Sequence, residues 1–267
     1  MPTQNIPLDG PINLLVRIGY GSVTIETGDD LREASVRLEA GEDAVDQLKQ
    51  ISVEMCGPTL QIVAPRQGGI FDLGPAHRAR AGVDVHVLVP TGTAVKVTTV
   101  TAPITIDGRV GGADVAFGSG AASVGEVDGD LRLRFGSGTA KATRVGGSVE
   151  IRSGSGDCEF GEIGGELRAG CGSGDLHARV VHGAVRSRCG SGAARLAEVH
   201  GDVDFASGSG GLELGIPTGV IARVDLRTGG GQVRSELPID AEPRSTKGSI
   251  MVRARTGNGD VRVFRAA

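Results

Sequence analysis

Residues 136–153 read Gly136-Ser137-Gly138-Thr139-Ala140-Lys141-Ala142-Thr143-Arg144-Val145-Gly146-Gly147-Ser148-Val149-Glu150-Ile151-Arg152-Ser153, and the pattern restarts at once with Gly154-Ser155-Gly156. Gly-Ser-Gly begins at Gly118, Gly136, Gly154, Gly172, Gly190 and Gly208, each start 18 residues after the last. A second glycine stands inside each complete copy, at Gly129, Gly147, Gly165, Gly183 and Gly201. Self-similarity at a fixed period marks stacked supersecondary units. The two glycine sites per unit mark two turns.

Between the turns, apolar residues alternate with polar ones. Ala122 and Val124, Ala140 and Ala142, Cys158 and Phe160, Leu176 and Ala178, and Ala194 and Leu196 form one series. Leu131, Leu133 and Phe135, then Val149 and Ile151, Leu167 and Ala169, Val185, and Val203 and Phe205 form another. A third column runs through Val127, Val145, Ile163, Val181 and Val199. Period two means strand. A two-strand unit cannot bury its inner face alone, so successive copies are expected to stack about 4.8 Å apart with equivalent residues in ladders. The expected fold is all-β, a β-solenoid (single-stranded β-helix) of about 18-residue coils.

The pattern weakens at both ends. Upstream it runs from Val95 to Ala116, with Ala102-Pro103 replacing a turn, and downstream through Gly229-Gly230-Gly231 and Gly257-Asn258-Gly259. Atypical terminal repeats are expected, because an exposed end of a stack is an aggregation edge. Before Val95, strands are expected at Gly21–Ile25, Ala34–Leu38, Thr59–Val63 and Val83–Val89. A short helix is expected within Glu42–Gln50, and a loop at Ala64–Gly82. The expected organisation is therefore residues 1-94 as an irregular N-terminal β-rich cap and residues 95-267 as the repeat array.

Composition agrees with short strands and many turns. Glycine numbers 45 of 267 residues, aromatics make up 3%, tryptophan is absent, and the hydrophobic fraction of 39% argues against disorder. The net charge of -4 creates no global field for nucleic acid or an anionic membrane. No run of 18 apolar residues is present, so membrane insertion is not expected. Met1–Ile18 carries no basic segment ahead of a long apolar run, so the expected location is cytoplasmic. Cys56, Cys158, Cys171 and Cys189 show no C-x-x-C spacing and are expected to be buried free thiols.

The same repeats carry the residues that could support catalytic or ligand chemistry. No Gly-Ser-Gly is followed by the Lys-Ser/Thr of a phosphate-binding loop, so the glycines are read as turns. Asp157 and Asp175 occupy equivalent positions, but the flanking copies offer Thr139 and Ala193, too few oxygens for a calcium site. His182 and His200 lie 18 apart and should stack, with His177 nearby in sequence, yet no matched carboxylate accompanies them. Arg132, Glu150, Arg168, Arg186 and Asp204 form an outer column beside Arg134, Arg152 and Arg188. Such a column can grip an anionic polymer or neutralise itself from coil to coil. Residues 121–200 carry ten acidic and ten basic side chains, which favours neutralisation. No catalytic, cofactor-binding or metal residue is assigned, and no cofactor is expected.

The residues resemble a bacterial β-strand-repeat family of "putative adhesins", also known as a domain of unknown function. The likeness rests on the initial strand Gly21–Ile25, on Val87-Leu88-Val89-Pro90-Thr91-Gly92-Thr93-Ala94-Val95, on the turns Gly156-Asp157 and Gly174-Asp175, and on Gly257-Asn258-Gly259-Asp260-Val261. It spans nearly the whole chain. It implies a β-solenoid and supplies no reaction, ligand or catalytic residue. Many such proteins are extracellular or tethered, and this chain departs from them in showing no export signal or anchor. The expected function is a non-catalytic structural or protein-interaction scaffold, with an unknown protein partner or self-association and no nucleic acid. The alternative is a ligand-binding module for an anionic polymer or a metal, and more remotely a polysaccharide-acting β-helix enzyme.

Overall fold

The computed structural model describes residues 3–41, 44–65, 82–237 and 249–266. Among the described residues the fold is all-β, with 22 strands and one four-residue helix. The chain divides into two compact units, Met1–Asp128 and Gly129–Ala267.

In the first unit the strands are β1 (Thr3–Pro7), β2 (Asn13–Arg17), β3 (Gly21–Gly28), β4 (Glu33–Ala40), β5 (Ser52–Cys56), β6 (Thr59–Val63), β7 (Val83–Pro90), β8 (Ala94–Thr101), β9 (Ile104–Val110) and β10 (Gly112–Val127). Helix α1 (Val45–Leu48) falls within the expected Glu42–Gln50 window. Most of the expected Ala64–Gly82 loop lies outside the described residues. Two parallel ladders organise the unit: β6, β2, β8 and the first half of β10, and β7, β3, β9 and the second half of β10. Both halves of β10 keep the alternation, with Val115, Phe117, Ala122 and Val124 buried. Three pairings, β1–β4, β4–β7 and β5–β6, are antiparallel. The expected boundary after residue 94 falls inside this unit, and β8 pairs with both β2 upstream and β10 downstream.

The second unit contains β11 (Leu131–Val145), β12 (Val149–Ile163), β13 (Leu167–Ser173), β14 (Leu176–Val181), β15 (Val185–Ser191), β16 (Ala194–Val199), β17 (Val203–Ser209), β18 (Leu212–Ile216), β19 (Ile221–Thr228), β20 (Val233–Ser235), β21 (Ser249–Thr256) and β22 (Val261–Arg265). Among the described residues every pairing of these strands is parallel, and from β11 to β18 the register is 18 residues. Val145, Ile163, Val181 and Val199 form one register column and are all at most 1% exposed. Each such side chain contributes roughly 1.5–3 kcal/mol by leaving water, which explains why the phase of the repeat is fixed.

The end of the chain breaks the sequential order. β21 lies between β17 and β19, pairing Val203 with Val252 and Val224 with Val252, and β22 lies between β18 and β20. The last strand pair in sequence is thus inserted ahead of the pair that precedes it.

Side chains at the corners tie one layer to the next. The Asp157 carboxylate accepts the Asp175 N–H at 2.8 Å, and the Asp175 carboxylate accepts the Ala193 N–H at 2.8 Å. Asp130 serves Ser148, Ser148 serves Glu166, Asp202 serves Met251 and Asp260 serves Gln232 in the same way. A parallel ladder leaves backbone donors unmatched where the chain turns, and these oxygens satisfy them.

Candidate functional site

Alternation along each strand of the second unit sends every other side chain outward. On β11, β12, β13, β15, β17, β21 and β19 the register aligns Arg132, Glu150, Arg168, Arg186, Asp204, Arg253 and Asp225 in one outer row. Two residues along, a second row holds Arg134, Arg152, Gly170, Arg188, Ala206, Arg255 and Arg227. Together the rows carry nine arginines and three carboxylates, a net of six positive charges on a chain whose formal net charge is -4. The strands lie about 4.8 Å apart, so seven of them extend the rows over about 29 Å.

Some of this charge is paired at close range. Arg168 binds Glu166 with two hydrogen bonds, at 2.9 and 2.6 Å, which raises the guanidinium pKa. Arg152 meets Glu150 at 2.9 Å and Arg227 meets Asp225 at 2.9 Å. Looser pairs join Arg132 to Glu150 at 3.7 Å, Arg186 to Glu166 at 3.5 Å and Arg188 to Asp204 at 3.9 Å. The arginines nevertheless remain open to water, with Arg188 81% and Arg152 74% exposed. Exposed pairs of this kind hold weakly, so the guanidinium groups keep most of their capacity for an incoming anion.

Beside the arginines lies a row with no side chains at all. Gly154, Gly172, Gly190, Gly208, Gly257 and Gly229 stack in series on Gly136, each facing the carbonyl of the neighbouring glycine, whose oxygen lies 2.4–2.7 Å from where a Cβ would sit. Next along the chain, Ser137, Ser155, Ser173, Ser191 and Ser209 are in register at the corner, all exposed or half-exposed. A shallow depression of about 700 Å³ opens where Ala206 interrupts the second row, bordered by Arg188, Arg227 and Arg255, with Cys189, Ser207 and Thr228 also lining it.

The inner side of the same corner is a polar column: Ser153, Cys171, Cys189, Ser207 and Thr256 in successive layers. Cys171 and Cys189 are register partners with free thiols and no disulfide between them, and Ser187 Oγ lies 3.5 Å from Cys189 Sγ. A hydrogen bond from the Cys171 thiol pulls Cys189 down to about 6, with Ser187 adding to the effect. The same bond, with burial, pushes Cys171 far above its usual range. Burial raises Cys158 to about 12.

The other polar residues singled out from sequence take separate places. Asp157 and Asp175 are occupied as acceptors for backbone N–H groups. His182 and His200 do stack, ring centroids 5.0 Å apart, but their Nε2 atoms lie against Glu162 at 3.2 Å and Glu198 at 2.8 Å. His177 sits elsewhere, with its Nε2 facing Arg195 at 3.3 Å. Among the described residues no group of three or more histidine, cysteine or acidic side chains is arranged to hold a metal ion, and no helix is long and apolar enough to cross a membrane. The outer column from Arg132 to Asp204 and its neighbours were legible from the 18-residue period. Arg227, Arg253 and Arg255 were not, because only the insertion of β21 brings them into line.

Three solved structures are similar to the chain at low identity. They are a putative adhesin from Parabacteroides merdae (12% identical, TM-score 0.45, covering 98% of this chain and 95% of that one), a putative adhesin from Bacteroides fragilis (13%, 0.42, 98% and 96%) and a putative lipid binding protein from Parabacteroides distasonis (12%, 0.39, 98% and 96%). No protein-family model matches the chain, and no curated protein matches it.

Proposed function

We propose that the chain is a non-catalytic β-solenoid scaffold, with residues 1–94 supplying its cap, that engages an anionic partner through the arginine-bearing face of its second unit. The parallel 18-residue register supports the solenoid reading. The observation that carries the function is the alignment of nine arginines in two outer rows with three carboxylates among them. An excess of arginines held in two rows on one sheet attracts an anion, because the strands already bring the stems of the guanidinium groups side by side.

Retention on a sulfonate resin at pH 7.5 tests this directly. A protein with a net charge of -4 is expected to pass through, whereas a concentrated basic face holds it at low salt. Arg188→Ser/Arg227→Ser/Arg255→Ser should elute at clearly lower salt. Arg17→Ser/Arg32→Ser/Arg37→Ser, which removes equal charge from the first unit, should elute close to the parent. Flow-through of the parent, or equal shifts for the two variants, would sink the proposal.

A further inference from the structure

We infer that the occupant of the arginine face is a linear acidic polysaccharide, lying across the strands along the glycine row. This deepens the reading above and rests on it. Three features narrow the anion. The positive charge is spread over about 29 Å across seven strands about 4.8 Å apart, nine arginines against three carboxylates, which suits an extended polymer with repeated charges better than a single small anion. The neighbouring row is glycine from Gly136 to Gly229, so a chain can rest against bare backbone beside the guanidinium groups. One residue beyond each glycine stands the serine row, exposed or half-exposed at the corner, whose hydroxyls both donate and accept and so match the hydroxyls of sugar rings.

The same face is poorly made for single-stranded nucleic acid. The outer rows contain no aromatic side chain on which a base could stack. An acidic polypeptide would meet the arginines but would leave the serine row without ring hydroxyls to bind. The glycan's carboxylate or sulfate groups would face Arg188, Arg255 and Arg227 around the depression, where Ala206 gives room for a ring.

The experiment titrates the full chain with polygalacturonate, dextran sulfate, neutral dextran, poly-L-glutamate and 30-base-pair duplex DNA at 50 mM salt. Polygalacturonate and dextran sulfate together identify acidic glycan as the ligand, and their relative affinity separates carboxylate from sulfate. Both should bind at least tenfold tighter than poly-L-glutamate or DNA, and neutral dextran should not bind. Arg188→Ser/Arg227→Ser/Arg255→Ser should lose tenfold or more. Ser173→Ala/Ser191→Ala/Ser209→Ala should weaken glycan binding at least threefold while leaving elution from the sulfonate resin unchanged, a separation that a purely electrostatic contact cannot give. Equal or tighter binding of DNA or poly-L-glutamate, or no glycan binding by a protein the resin retains, overturns the glycan and leaves the basic face standing. Failure of both resin retention and glycan binding overturns both.

Discussion

Cys171 and Cys189 show how one position in a repeat takes two characters. The 18-residue spacing places them in one column after Phe135 and Ser153 and before Ser207, and on that basis both are expected to be buried and slow to react. They are indeed register partners, but Cys171 is 9% exposed while Cys189 is only partly covered, at the edge of the depression beside Ala206. Nothing in a period reveals that difference, because it depends on how large the side chain in the next layer is. Two adjacent thiols also titrate together: once Cys189 gives up its proton, the remaining S–H bonds to the thiolate, and a second loss would set two negative charges side by side. Alkylation of the native protein, followed peptide by peptide, should therefore modify Cys189 well before Cys171 and Cys158, with exposed Cys56 as reference. The Cys189 rate should rise with pH through about 6, where its thiolate forms. Cys171→Ala removes the donor and should move that rise to higher pH. Equal rates for Cys189 and Cys171, or an unmoved profile in the variant, would contradict the shared proton.

At the level of strands and turns, alternation was enough to locate the elements but not to orient them. Gly21–Ile25, Ala34–Leu38, Thr59–Val63 and Val83–Val89 all lie within strands. That β4 runs antiparallel to β7 while β3 runs parallel to it was not legible, since period two is the same in both directions. The Gly-Ser-Gly corners were legible, and their physics is steric. Gly174 and Gly192 adopt φ of 128° and 138°, and a Cβ on Gly192 would come within 2.1 Å of the Gly174 carbonyl oxygen. Gly192→Ala should therefore cost about 2–4 kcal/mol, from the strained backbone and the overlap together. Gly41, with nothing within 4 Å of its missing Cβ, should accept alanine within about 0.5 kcal/mol. Denaturant unfolding of the two variants checks this, and equal midpoints would mean that the corner relaxes at little cost.

For the whole molecule, the period tells which layers follow one another only while it holds. Charge is divided unevenly along the chain: residues 1–128 contain 16 acidic and 9 basic side chains, residues 129–267 contain 16 and 19. The basic excess becomes a continuous face because Arg253 and Arg255 enter between Asp204 and Asp225 and between Ala206 and Arg227. That placement joins strands 49 and 28 residues apart, neither a multiple of 18, so no extrapolation of the repeat could reach it. A packing reason is visible in the side chains. β21 and β22 bury Ile250, Val252, Ala254, Val261 and Val263, whereas β19 and β20 leave Val224 42% and Val233 44% exposed. The better apolar surface takes the inner position against β17 and β18, and the poorer pair closes the stack. Local stability should follow position in space, not order in sequence, because β19 and β20 each have a strand on one side only among the described residues. Native-state hydrogen exchange should accordingly release amides of Ile221–Thr228 and Val233–Ser235 before those of Val252, Ala254 and Val263. Faster exchange in Ser249–Thr256 than in Ile221–Thr228 would place β21 at the open edge and undo the continuity of the arginine rows.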